Sequence, residues 1–416
     1  MKKFLSLATA TIMAMSFTAC NADNPGNEKN SVPSAYQDIS QPAKSKSNDT
    51  LFGTYVSNTV ISTGCNSAVD EAQSVTYRAY FPVEEYGQLE YCFYFSNNVD
   101  STYKIGKKEY TIRKGGEYSI ESARIGTVSS ADIDGEITGY CDVTFNGAKE
   151  KSVASGETFW SDPVTYNVAE DNYLVWEWTL TGTDIPAINM SELTKTGADH
   201  GDGNGLVYCD KVPVPQLIGA DRDVKYTVSA MGDSITQGCG TESMAYEFWA
   251  SEIYKLLGDD YSLWNCGLGS ARASDAVNSN DWFERTSQSD IVILAFGTND
   301  IVSGEYGGDG GNTASEVDGY VREILTKLKE KECGIIVFNA PPFDYREDKE
   351  AVRTEYNQLL KTTCEEFQVA YFDFASLLSD ESDPAKAKYG SHPTGEAGSM
   401  VAQQFLEQYK TFFDAE

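Results

Sequence analysis

Histidine is almost absent from this chain: its 416 residues include two, His200 and His392. Chemistry that needs an imidazole base has almost no choice of residue here. Basic side chains are scarce too, with Lys and Arg numbering 32 against 63 Asp and Glu, a net charge of −31. Such an acidic surface argues against nucleic acid or an anionic membrane surface as partner, because both are bound through cationic side chains. Nine cysteines occur, but without a CxxC pair or a compact spacing, so neither a zinc ribbon nor a small disulfide scaffold fits. Cys266, beside an expected strand, suits a small core residue. The N-terminal apolar stretch, Phe4 to Phe17, is shorter than the roughly 20 residues a membrane span needs. The signature GxSxG is missing, which disfavours the nucleophile turn of α/β-hydrolases.

What is present begins with a targeting segment. Lys2 and Lys3 precede Phe4 to Phe17, and Phe17-Thr18-Ala19-Cys20 puts small residues directly before a cysteine. Residues 1–20 resemble a bacterial lipoprotein signal with Cys20 as the lipidated residue, although Phe17 stands where Leu is usual. The alternative is ordinary secretion with Cys20 incidental. Either way the mature protein is expected outside the cytoplasm, and its only expected membrane contact is the lipid on Cys20. Residues 21–48 are rich in Asn, Ser, Asp, Pro and Lys and poor in apolar residues, as a flexible tether would be.

Residues 49–222 show short alternating apolar runs separated by Gly, Asn and Asp clusters, which predict a β-sandwich domain. Leu89 to Phe95 is one run. In another, Leu174 to Leu180, period two puts Leu174, Trp176, Trp178 and Leu180 on one face. That face is either an aromatic sugar platform or a sandwich core, and the leucines favour core. From 223 to 416 the rhythm changes to strand then helix. Strands are expected at Tyr226–Met231, Ser262–Cys266, Asp290–Phe296, Gly334–Asn339 and Val369–Asp373. Helices are expected at Met244–Leu257, Glu316–Lys331, Asp348–Phe367 and Gly395–Lys410. Five apolar strands alternating with helices make an α/β domain, a parallel sheet covered on both faces. Such sheets bind ligands past the carboxyl ends of their strands. Ser234, Gly269, Asn299 and Pro341-Pro342 all fall there.

Acyl transfer through serine needs a nucleophile, a base and donors for the oxyanion. Gly232-Asp233-Ser234 ends the first strand and offers Ser234. His392, in Ser391-His392-Pro393 ahead of the last helix, offers the base. Asn299, in Gly297-Thr298-Asn299-Asp300, offers a side-chain amide, and the turn Asn265 to Ser270 offers backbone N–H groups. Together with Tyr389-Gly390-Ser391-His392, these blocks resemble the SGNH (GDSL-type) hydrolase family over about 223–416. The resemblance implies a flavodoxin-like fold of five parallel strands, a serine esterase activity without metal or cofactor, and an oxyanion hole from Ser234, a turn glycine and Asn299. Two departures stand out. The family's NxGxxG turn has Ser270 at its last position, leaving Gly269 and Ser270 as alternative donors. The Asp three residues before the histidine is Tyr389, so Asp380, Asp383 or a backbone carbonyl must orient the ring, or the enzyme is slow.

The β-rich region adds Tyr77-Arg78-Ala79-Tyr80, Phe95-Ser96-Asn97, Phe145-Asn146-Gly147, Ser155-Gly156-Glu157 and Trp160 to Val164 in order. This layout is similar to the β-sandwich ahead of the catalytic domain in secreted SGNH esterases, and broadly to carbohydrate esterase family 2. It implies an acetylated polysaccharide such as xylan, or its oligosaccharides, as partner. A lipase or thioesterase on the same scaffold, and a non-catalytic glycan binder, are the alternatives. Asp233 and Asp300 are expected to hold turns rather than act in catalysis. Asp199 to Gly205 mimics a cation loop, but its spacing is not that of an EF-hand, and a Gly-rich interdomain loop is expected. Gly304 to Asn312, with five glycines, is expected at the pocket rim.

Overall fold

A computed structural model describes residues 54–101, 112–190, 192–302 and 311–414. The signal segment, Cys20, the tether and residues 303–310 of the Gly-rich rim segment lie outside the described residues.

The first region is a pair of antiparallel sheets. In the longer one, Asn172–Asn189 lies between Ser67–Pro82 and Tyr118–Ser129. In the other, Gly87–Ser96 pairs with Leu217–Asp221 and Val164–Val168. Period-two alternation decides what meets between them. Phe93 and Phe95 of one sheet touch Trp176 and Trp178 of the other, with centroids 4.8 Å apart for Phe93–Trp176. Leu174, Trp176, Trp178 and Leu180 are at most 2% exposed, so this face is core and not a sugar platform. The loop Asp199–Gly205 joins two strands of this same region, Thr196–Asp199 and Lys211–Val212. It is therefore not an interdomain loop, and Asp199 and Asp202 spend their carboxylates capping its turns.

The second region is a five-stranded parallel sheet: β1 (Tyr226–Gly232), β2 (Tyr261–Asn265), β3 (Ile291–Ala295), β4 (Gly334–Phe338) and β5 (Ala370–Phe372). Their order is β2-β1-β3-β4-β5, which is the flavodoxin-like order. All five are short and nearly wholly buried, as strands covered on both faces must be. The long helices Ala314–Glu330, Glu347–Phe367 and Gly395–Asp414 lie close to expectation. The helix expected from Met244 begins instead at Trp249. Met244 and Tyr246 have φ of 62° and 52°, left-handed values that an α-helix cannot contain.

One continuous cluster of buried apolar side chains runs through both regions. Buried ion pairs join them. Arg285, beside the parallel sheet, reaches Asp100 of the sandwich at 2.7 Å, and Arg222, just after the sandwich, pairs with Glu84. Among the described residues, no helix is long and apolar enough to cross a membrane.

Candidate active site

Ser234 follows β1 at the first position of a single helical turn, Ser234–Gln237. Asp233 caps that turn, its carboxylate accepting the Ile235 N–H at 2.9 Å. A cap holds the backbone N–H groups of the first turn without helical partners, the arrangement an oxyanion can use. Burial pushes the Asp233 carboxyl up to about 7, with Asp300 adding repulsion. Asp300 accepts the Ala273 N–H at 3.0 Å, and burial raises its carboxyl to about 6. Both acids hold turns together.

Ser234 Oγ lies 2.8 Å from His392 Nε2. Two features bring the histidine there from 158 residues away. Gly240 adopts φ +95°, and a Cβ on it would come within 2.5 Å of the His392 Cβ, so the loop after Ser234 needs glycine for His392 to approach. On the other side the ring packs edge-on against Phe343, centroids 5.3 Å apart, just past the Pro341-Pro342 turn. Ser391 Oγ reaches the Phe343 carbonyl at 3.4 Å. Burial lowers the His392 pKa, which favours the neutral imidazole that a base must be.

No carboxylate orients that imidazole among the described residues. Asp380 accepts from the Ser382 N–H and hydroxyl, and Asp383 accepts the Ala385 N–H. Each is consumed by its own exposed turn, so neither takes the part the sequence offered it. Tyr389 is a packing residue: its hydroxyl touches Met400 Sδ at 3.6 Å and Lys388 lies over its ring.

The turn after β2 packs against the Ser234 turn. Asn265 Nδ2 donates to the Thr236 carbonyl at 3.0 Å, and a Cβ on Gly267 would collide with the Gln237 backbone. Of the two alternative donors, the Gly269 N–H is already spent on Gln237 Oε1 at 2.7 Å. The Ser270 N–H has no acceptor among the described residues, and Ser270 holds φ +65°. Asn299 Nδ2 donates to the Ala271 carbonyl at 3.0 Å, which brings its amide to the same turn. His200 is exposed on its loop in the sandwich and takes no part. Gln237 was not singled out from the sequence, although it lies three residues past Ser234. Among the described residues, no cluster of three or more His, Cys, Asp or Glu is placed to hold a metal ion.

Residues 230–397 match the model of the GDSL-like Lipase/Acylhydrolase family. The likeness lies in the C-terminal region, which carries Ser234, Asn299 and His392. Solved structures similar to this chain include a member of the lipolytic protein G-D-S-L family from Veillonella parvula, 18% identical, with a TM-score of 0.36 over 44% of this chain and 98% of that one. Another is Axe2, an acetylxylan esterase from Geobacillus stearothermophilus, 19% identical, with a TM-score of 0.37 over 46% of this chain and 96% of that one. No curated protein matches the sequence.

Proposed function

We propose that this GDSL-type acylhydrolase is a serine esterase that removes acetyl and other short acyl groups from plant cell-wall polysaccharide such as xylan, held outside the cytoplasm by lipid on Cys20. The observation that carries the reading is the 2.8 Å contact between Ser234 Oγ and His392 Nε2 at the carboxyl edge of the parallel sheet. In the proposed cycle His392 takes the Ser234 proton as Oγ bonds the ester carbonyl carbon. The carbonyl oxygen becomes an oxyanion, met by the N–H groups of Ser234 and Ser270 and by the Asn299 amide. The intermediate collapses, the ester C–O bond breaks, and His392 gives its proton to the departing sugar hydroxyl. Water repeats the two steps on the acyl-enzyme and releases acetate. A neutral acetylated glycan meets no repulsion from a surface of net charge −31, and the two-region layout resembles that of carbohydrate esterases.

The test is acetate release from acetylated xylan and turnover of a p-nitrophenyl ester series, with Ser234→Ala alongside. The expected result is turnover that falls with acyl length and drops on the order of 10⁶-fold in the variant. A profile peaking at long acyl chains would point to a lipase or thioesterase. No turnover, with xylan binding indifferent to Ser234→Ala, would make the protein a glycan binder.

A further inference from the structure

The sandwich reaches the turn that carries Ser270. Asn66 is 1% exposed. Its Nδ2 donates to the Gly269 carbonyl at 3.2 Å, and its Oδ1 accepts the Asn189 N–H at 2.8 Å. Gln237 completes the arrangement from the other side. Its Oε1 accepts the Gly269 N–H at 2.7 Å, and its Nε2 donates to the Asn189 carbonyl at 2.6 Å. Two side-chain amides thus bridge Gly269 to Asn189: Asn66 takes the Gly269 carbonyl and the Asn189 N–H, and Gln237 takes the Gly269 N–H and the Asn189 carbonyl. Ser101 Oγ, also in the sandwich and fully buried, gives the Gly269 carbonyl a second donor at 3.4 Å. A Cβ on residue 269 would lie 2.9 Å from Asn66 Nδ2 and 3.1 Å from Gln237 Oε1. The clamp therefore explains the glycine at 269, whose own N–H is not available to an oxyanion.

The Gly269 carbonyl and the Ser270 N–H are opposite ends of one planar trans peptide, so they point in opposite directions. Fixing the carbonyl fixes the N–H. Hydrogen bonds to the carbonyl also polarise the peptide and make its N–H a better donor. A serine at φ +65° is in a conformation that surrounding contacts must hold. We infer that Asn66 and Ser101 are positioning residues of the acyl-transfer site, aiming the Ser270 N–H at the oxyanion by gripping the Gly269 carbonyl. The sandwich is then part of the catalytic apparatus, a role beyond glycan contact or a pocket wall. This inference rests on the esterase reading above.

The experiment uses the full chain carrying Asn66→Ala, Asn66→Asp or Ser101→Ala. It measures kcat and KM on p-nitrophenyl acetate, affinity for methylboronic acid, and Tm. A boronate bound to Ser234 is tetrahedral and loads the same N–H without needing turnover. Asn66→Ala should lower kcat roughly 10- to 100-fold with KM within about twofold. Boronate affinity should fall in parallel. Asn66→Asp keeps the acceptor for Asn189 but loses the donor, so it should not restore kcat. Ser101→Ala should show a smaller loss of the same kind, and it serves as the probe if Asn66 variants fail to fold. Folded variants with wild-type kcat and boronate affinity, or with only a lower Tm, would overturn the inference and leave the esterase intact. A wild-type protein that neither turns over esters nor binds boronate would overturn the esterase reading itself.

Discussion

Ser234 and Ser270 stand on adjacent turns, yet different stretches of chain hold them. Ser234 owes its place mainly to near neighbours: Asp233 caps its turn, and Gly240, six residues on, leaves room for His392. Ser270 sits next to Gly269, whose carbonyl is gripped by Asn66, 203 residues earlier in the chain. Ser62 Oγ likewise reaches back to the Gly267 carbonyl across 205 residues. The Ser234 turn is thus shaped mainly by local sequence, with Gln237 tying it to Asn189, and the Ser270 turn mainly by contact between the two regions. Changes in the sandwich should therefore act on transition-state charge and leave the Ser234–His392 contact alone.

The largest effect belongs to the local half. His392→Ala should lower kcat/KM by roughly 10⁴-fold or more on any ester the wild type accepts. The pH profile sharpens the point. The imidazole must be neutral to accept the Ser234 proton, and burial disfavours its charged form. Activity should therefore rise with pH through a limb centred below about 6.5, the ordinary histidine value. A limb centred above that value would show a carboxylate stabilising the imidazolium, and the dyad description would be wrong.

The oxyanion half should respond less steeply. Asn299→Ala should cost roughly 10²–10³ in kcat with little change in KM, measured on p-nitrophenyl acetate. An equal loss carried by KM would assign Asn299 to ground-state binding. Ser270→Gly addresses the strain directly. A left-handed serine costs roughly 1–2 kcal/mol, and glycine returns part of that through its extra freedom in the unfolded chain. A net gain of about 0.5–1 kcal/mol in urea denaturation is expected. A loss of stability would mean that the serine side chain itself helps to hold the turn.

The same division explains what could be read from the sequence. The five parallel strands and three of the long helices were legible because burial on both faces leaves continuous apolar runs, and helices keep their period. Ser234, His392 and Asn299 were legible because each sits at a strand end or helix start within its own short block. The start of the Trp249 helix was not, because nothing in the residue types announces left-handed backbone at Met244 and Tyr246. Asp380 and Asp383 looked available because nearness in sequence says nothing about which turn consumes a carboxylate. The choice between Gly269 and Ser270 was also hidden. It depends on Asn66, Asn189 and Gln237, whose contacts leave no periodic trace.

Tyr389 makes the smallest and last test. It occupies the position where the family resemblance calls for an aspartate, and its hydroxyl points to Met400 Sδ, a weak acceptor, at 3.6 Å. Such a contact is worth about 0.5 kcal/mol, so Tyr389→Phe should keep kcat/KM within about threefold and leave the pH limb where it was. The ring, packed beneath Lys388, stays in place in that variant. A loss of tenfold or more with unchanged Tm would mean that the hydroxyl itself orients His392. The local half of the site would then carry a third member of unusual chemistry, and its independence from the sandwich would be stronger than the Ser234–His392 pair alone implies.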